Sequence, residues 1–165
     1  MVYKMRIYVG GVCRGNGRPG SIAAAAAVFE LPHGRQTTYS CILPSRPTPT
    51  NQRAEITAII IALEEALERY ERLRMAPLLD VTIHSDSKYA IGCMREWVAK
   101  WCQNGWINAA GRAVANRDLI QKANRLDEKL CDLGTVEYVW IPREENVDAD
   151  EACNDALDGA FYDLN

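Results

Sequence analysis

Three carboxylates, Glu55, Asp86 and Asp150, stand where an α/β sheet gathers its chemistry. Asp86 closes the apolar run PLLDVTIHS and precedes Ser87, a helix-capping residue type. Glu55 falls in the first turns of a long amphipathic stretch, four residues before Ile59 and so on its inward-turned side. Asp150 falls in the first turns of NVDADEACNDAL. Ligands in such sheets lie at the carboxyl ends of strands and at neighbouring helix starts. Carboxylates drawn together from distant segments repel unless a divalent cation lies between them, and an all-oxygen set suits Mg²⁺ or Mn²⁺. Simpler roles stay open to each: Glu55 and Asp150 complement helix N-termini, and Asp86 caps a helix. The first strand-like run, RIYVGGVC, leads into the loop RGNGRPG at a place suited to a further acid. It carries Gly10 instead, and no acid occurs before Glu30.

The elements that must hold these residues follow from periodicity and turn chemistry. MRIYVGGVC predicts a strand and GNGRPG a turn. The alanine row of SIAAAAAVFE favours helix by propensity, but its short length and its place after a glycine turn predict a buried strand packed closely by its neighbours. RQTTYSCIL completes a meander of three. After the PSRPTPT break, Ile56, Ile59, Ile60, Leu63 and Leu67 recur at helical spacing, predicting a helix from Asn51 to about Arg74. PLLDVTIHS predicts a fourth strand and SKYAIGCMREWVAKW a helix. QNGWINAAGRAVAN is a loop, RDLIQKANRLDEKLCDLG a helix ending at Gly134, TVEYVWIP a fifth strand and NVDADEACNDAL a closing helix. The expected fold is α/β, a five-stranded mixed sheet flanked by helices, in a single domain spanning residues 1–165.

Bulk properties narrow the function classes. The length suits one domain with a real core. No apolar run approaches the roughly 18 residues of a membrane helix, and Lys4 and Arg6 interrupt any signal-peptide core at the N-terminus. An intracellular setting follows as the expectation: cytosolic, nuclear or in an organelle matrix such as the mitochondrial one. The six cysteines are scattered without a CxxC pair, which predicts reduced thiols. His84, inside an apolar strand run, is expected on the core or the strand face. Net charge is −3, unevenly spread: residues 1–54 carry seven Lys and Arg against one acid, and residues 137–165 carry nine acids against one Arg. Residues 95–129 form a second basic zone, with seven Lys and Arg against four acids. Two basic zones with an acidic remainder suit a polyanion, although scattered solvated charge gives the same count.

TNQRAEITAIIIALEEAL, IHSDSKYAIGCMREW and VWIPREENVDADEA stand in the order and at the separations of a type 1 ribonuclease H. WVAKWCQNGWINAAGRAVANRDLI resembles the tryptophan-bearing basic protrusion of eukaryotic and bacterial members, so the resemblance runs from about Met5 to Cys153. It implies the ribonuclease H-like fold. It also implies four carboxylates holding two Mg²⁺ ions against the scissile phosphate of RNA paired to DNA. One ion activates the attacking water and the other stabilises the leaving 3′ oxygen, the two lying about 3.5–4 Å apart. Glu55, Asp86 and Asp150 match three of those metal-ligating catalytic carboxylates. Where the family's first strand usually reads TDGSC, this chain has Val9-Gly10-Gly11-Val12-Cys13. Glycine therefore replaces the ligand that bridges both ions in the family, and loss of such a charge lowers rate by several kcal/mol. The loop that often carries a mobile histidine reads PREENVD, with Arg143, Glu144 and Glu145.

The resemblance further implies a hybrid-binding surface. Cys13, Asn16, Asn51 and Gln52 match positions that read the minor groove and RNA 2′-hydroxyls. Thr50 and Asn116 match residues gripping a DNA phosphate. Tyr89, Trp97 and Trp101 match an aromatic channel along the DNA strand. Ala109 replaces a serine that usually follows NGW. The protrusion keeps Lys100, Arg112, Arg117, Lys122 and Arg125, fewer basic groups than usual, which predicts weak and salt-dependent binding. Three expectations follow. The first is a hybrid-recognising protein whose RNA-strand cleavage is lost or severely impaired, with cation binding weakened. The others are an active Mg²⁺- or Mn²⁺-dependent endonuclease that tolerates Gly10, and a pseudoenzyme scaffold that binds a protein partner.

Overall fold

A computed structural model describes residues 1–163. Five strands form one sheet: β1 (Val2–Arg14), β2 (Ile22–Glu30), β3 (Gln36–Ile42), β4 (Leu78–Ser85) and β5 (Gly134–Trp140). Their order is β3-β2-β1-β4-β5. The meander β1–β2–β3 is antiparallel, while β4 and β5 run parallel to β1 and β4. The helices are α1 (Asn51–Glu71), α2 (Lys88–Gly92), α3 (Val98–Asn104), α4 (Arg117–Cys131) and α5 (Val147–Asp163). The mixed sheet flanked by helices agrees with the expected fold class.

The alanine row is a strand because both its faces are covered. Ala23, Ala25, Ala27 and Phe29 join the main core under α1, while Ala24 and Ala26 pack with Cys153 and Leu157 of α5. Small side chains let a helix approach each face of β2, and that tertiary demand overrides alanine's helical preference. In α1, Ile56, Ile59, Ile60 and Leu63 are buried, each removing roughly 1.5–3 kcal/mol worth of apolar surface from water. Gly11 is needed where β1 meets α1, since a Cβ there would lie 2.5 Å from the carbonyl carbon of Ala54.

Several boundaries differ from the sequence expectation. Helix α1 stops at Glu71, short of Arg74, because Leu73 N–H turns back to the Tyr70 carbonyl ahead of β4. The helix expected to close at Gly134 ends at Cys131. Gly134 instead opens β5 opposite Leu79, where a Cβ would fall on the Leu79 carbonyl oxygen. The helix after Asp86 is interrupted by a π-helical turn, Cys93–Trp97, that joins α2 to α3. His84 lies half-buried on the sheet face as expected, its ring stacked on Tyr8 at 4.5 Å and its Nδ1 3.1 Å from the Ile7 carbonyl. All six cysteines are free thiols. Among the described residues, no helix is long and apolar enough to cross a membrane.

Candidate functional site

Gly10, Glu55, Asp86 and Asp150 line one cavity of about 310 Å³, together with Asn51, Arg143 and Asn146. Topology explains the meeting. Strands β1 and β4 are parallel neighbours whose pairing ends at Val9 and Ser85, so Gly10, inside β1, comes level with Asp86 just past the end of β4. Helix α1 starts beside β1, held by the Thr50 hydroxyl, which accepts from Arg53 N–H at 3.1 Å. Asp150 sits in the first turn of α5, which crosses the other face of β1.

Each carboxylate has a protein partner. Ser87 Oγ donates to Glu55 Oε2 at 2.6 Å and also accepts from Ala90 N–H, so one hydroxyl caps α2 and fixes Glu55. Burial pushes the Glu55 carboxyl above the ordinary range; the Ser87 hydrogen bond opposes this, and nearby Asp86 adds to it. Asn146 donates from Nδ2 to the Val9 carbonyl at 2.8 Å and to Asp86 Oδ1 at 3.2 Å. That amide is 3% exposed, and its Oδ1 has no partner among the described residues. Asp150 has the exposed Arg143 guanidinium 3.8 Å away. At Gly10, a Cβ would lie 3.1 Å from the Ala149 Cβ, and the Gly10 carbonyl accepts from Cys153 Sγ at 3.2 Å. The start of α5 therefore rests almost directly on the bare strand.

As a donor set, the three carboxylates are hard oxygen ligands suited to a divalent cation. Among the described residues, no three His, Cys, Asp or Glu side chains stand close enough to form a ready-made metal cage. The cavity is thus lined by three carboxylates that do not converge on one point, with glycine at position 10.

Beside this cavity the expected binding residues form a connected surface. Cys13 N–H donates to Asn51 Oδ1 at 3.1 Å, and Asn51 N–H donates to Asn16 Oδ1 at 2.9 Å. Asn116 holds a left-handed conformation, φ 64°, which asparagine tolerates better than most residues. Its amide donates to the Tyr89 hydroxyl at 3.0 Å and to Gln52 Oε1 at 3.3 Å. Tyr89, Trp97 and Trp101 line a groove of about 470 Å³ with Lys100 and Ala109. Ring centroids follow one another at 6.4 Å from Tyr89 to Trp97 and 6.0 Å from Trp97 to Trp101.

Sequence reading passed over three groups. Asn146 is a lone amide between a loop and a helix, with no periodicity to mark it. Arg53 forms a two-pronged pair with Asp118, at 2.7 and 3.0 Å, and touches Asn116 Oδ1 at 3.4 Å. The TNQRAE motif that drew attention to Thr50, Asn51 and Gln52 already contained it. Trp106 continues the aromatic row 6.0 Å beyond Trp101, but is buried.

A family model described as RNase H matches residues 3–158. The chain is 34% identical over 154 residues to the Ribonuclease H of Francisella tularensis subsp. novicida (strain U112), covering 91% of this chain and 88% of that protein. It is 36% identical over 142 residues to the Ribonuclease H of Albidiferax ferrireducens, covering 83% and 80%. Among solved structures it is similar to LC11-RNase H1 in complex with RNA/DNA hybrid, with TM-score 0.66 and 26% identity over 95% of this chain and 99% of that one. RNase H1 from the halophilic archaeon Halobacterium salinarum NRC-1 superposes with TM-score 0.60 at 26% identity, covering 95% and 99%.

Proposed function

The chain belongs to the ribonuclease H family, and from that premise we propose that it recognises RNA/DNA hybrid while its cleavage of the RNA strand is lost or severely slowed. One observation carries this reading: Glu55, Asp86 and Asp150 line a single cavity in which the remaining strand position is Gly10. A bound divalent cation would supply Lewis-acid activation of water and neutralise phosphate charge. Glu55, Asp86 and Asp150 are the side chains that would hold it. The chain's own groups hold those ligands in place: Ser87 fixes Glu55, Asn146 fixes Asp86, and Arg143 offsets the charge of Asp150. Position 10 adds neither a charge nor a side-chain oxygen. Electrostatic stabilisation that a carboxylate at this position would supply is forfeited, and removal of one such electrostatic group lowers turnover by about 10²–10³.

Hybrid recognition is supported by the linked Cys13–Asn16–Asn51 contacts, the Asn116 hub and the aromatic groove, which lie side by side along one surface. Fluorescence anisotropy with labelled hybrid, duplex DNA and duplex RNA tests it. Preference for the hybrid supports the reading, and equal affinity for all three overturns it in favour of a scaffold. An active nuclease is the second reading. Asn146 favours it, because this amide lines the cavity and holds Asp86 in place by a 3.2 Å hydrogen bond without any acid at position 10. Cleavage by the unmodified chain that Asn146→Ala abolishes, in a variant that still folds, establishes that alternative.

A further inference from the structure

We propose that Gly92 and the π-turn following it are the device that aligns Tyr89, Trp97 and Trp101 into one groove wall, with Gly92 acting as a positioning residue for Trp97. The proposal rests on the hybrid-binding reading for its function, but on geometry for its substance. Along an unbroken α-helix each residue advances about 100°, which would spread the three rings over about 120°. In the π-turn the Val98 N–H reaches back to the Cys93 carbonyl, five residues earlier. The turn absorbs one extra residue, so the three rings fall within an arc of about 40°. The observed spacings of 6.4 and 6.0 Å between successive rings match that alignment.

Gly92 makes the turn compatible with Trp97. A Cβ on Gly92 would lie 2.8 Å from Cη2 and 2.9 Å from Cζ3 of the Trp97 ring. The benzo edge of the indole therefore rests on the bare Cα of the residue five positions back. Gly92 is an ordinary helical residue, φ −60° and ψ −41°, so glycine is not required there by backbone conformation. What demands it is the ring. Because the clashing atoms are the far end of a side chain, alanine at this position is accommodated by displacing the indole while the helix stays intact.

The test uses Gly92→Ala, Trp97→Leu and the double variant of the full chain. For Gly92→Ala, far-UV circular dichroism is expected to match the parent, while near-UV dichroism and acrylamide quenching of tryptophan emission change. Affinity for RNA/DNA hybrid is expected to fall about five- to tenfold, from lost stacking on one ring. The slope of log Kd against log salt stays the same, because no phosphate contact is removed. In the Trp97→Leu background Gly92→Ala has no further effect on affinity. Unchanged near-UV dichroism and quenching in Gly92→Ala overturn the proposal, as do effects of the two substitutions that simply add. Should the unmodified chain prefer hybrid no more than duplex DNA, the functional reading falls, and the two spectroscopic readouts still decide the role of Gly92.

Discussion

Placing an aspartate at position 10 is the most informative perturbation of this molecule, and the structure sets its cost and its gain. The added Cβ would meet the Ala149 Cβ at 3.1 Å and the Ala149 carbonyl carbon at 3.4 Å, so the start of α5 must give by a few tenths of an ångström. Overpacking of this kind costs about 1–3 kcal/mol. A fourth carboxylate in a cavity that already holds Glu55, Asp86 and Asp150 adds like-charge repulsion. Without a divalent cation Gly10→Asp is therefore expected to melt below the parent, and Mn²⁺ is expected to restore much of the difference while raising the parent's midpoint far less. The gain is catalytic: about 10²–10³ in single-turnover cleavage of labelled RNA/DNA hybrid, the scale of one electrostatic group. Pairing the substitution with Ala149→Gly removes the contact with the Ala149 methyl at a helix-propensity cost of about 1 kcal/mol. A Gly10→Asp protein that folds, is stabilised by Mn²⁺ and still cleaves no faster than the parent refutes the view that position 10 alone silences the site.

Glu55→Gln is expected to stabilise the cation-free protein at neutral pH. The folded-state carboxyl is held above its ordinary value of 4.5 mainly by burial, so the folded chain binds the proton more tightly. Stability contributed by this group is present in acid and is lost as pH rises through the window above 4.5, so the advantage of Glu55→Gln should vanish on acidification in a melting series across that range. Asn146→Ala leaves the buried Val9 carbonyl without its side-chain donor and should cost about 1–3 kcal/mol in chemical denaturation. Asn146→Asp sets a second anion against Asp86 and should cost more at pH 7 than at pH 4, and equal losses at both would contradict this. Lys100→Ala, at the rim of the aromatic groove, should weaken hybrid binding and reduce the salt slope by about one, as read by anisotropy at several salt concentrations.

Most of the scaffold was legible because its signals are local and periodic. The Ile56–Leu67 repeat marks α1, and the glycine turn before the alanine row marks β2 as a strand. What escaped depends on contacts between distant segments. Gly134 reads as a helix terminator, yet it is glycine because the Leu79 carbonyl of the neighbouring strand leaves no room for a Cβ. The π-turn leaves no mark in residue type, since Cys93–Trp97 is ordinary helical sequence, and the backbone bond from Val98 N–H to the Cys93 carbonyl is what reveals the extra residue. Around the cavity, Glu55, Asp86 and Asp150 were visible as acids at element boundaries, and Gly10 as a glycine in the first strand. Asn146 and Arg53 were not, because a buried amide and a paired guanidinium show their purpose only once Val9, Asp86 and Asp118 are placed around them.

The central claim is that a glycine within the first strand, level with Asp86, disables a site whose other acids remain in place. Single-turnover cleavage of end-labelled RNA/DNA hybrid by the unmodified chain, with saturating protein and either Mg²⁺ or Mn²⁺, tests it most directly. The expected result is hybrid bound throughout, with RNA cleavage no faster than in the Asp86→Asn variant. Rapid cleavage that Asp86→Asn abolishes would contradict it.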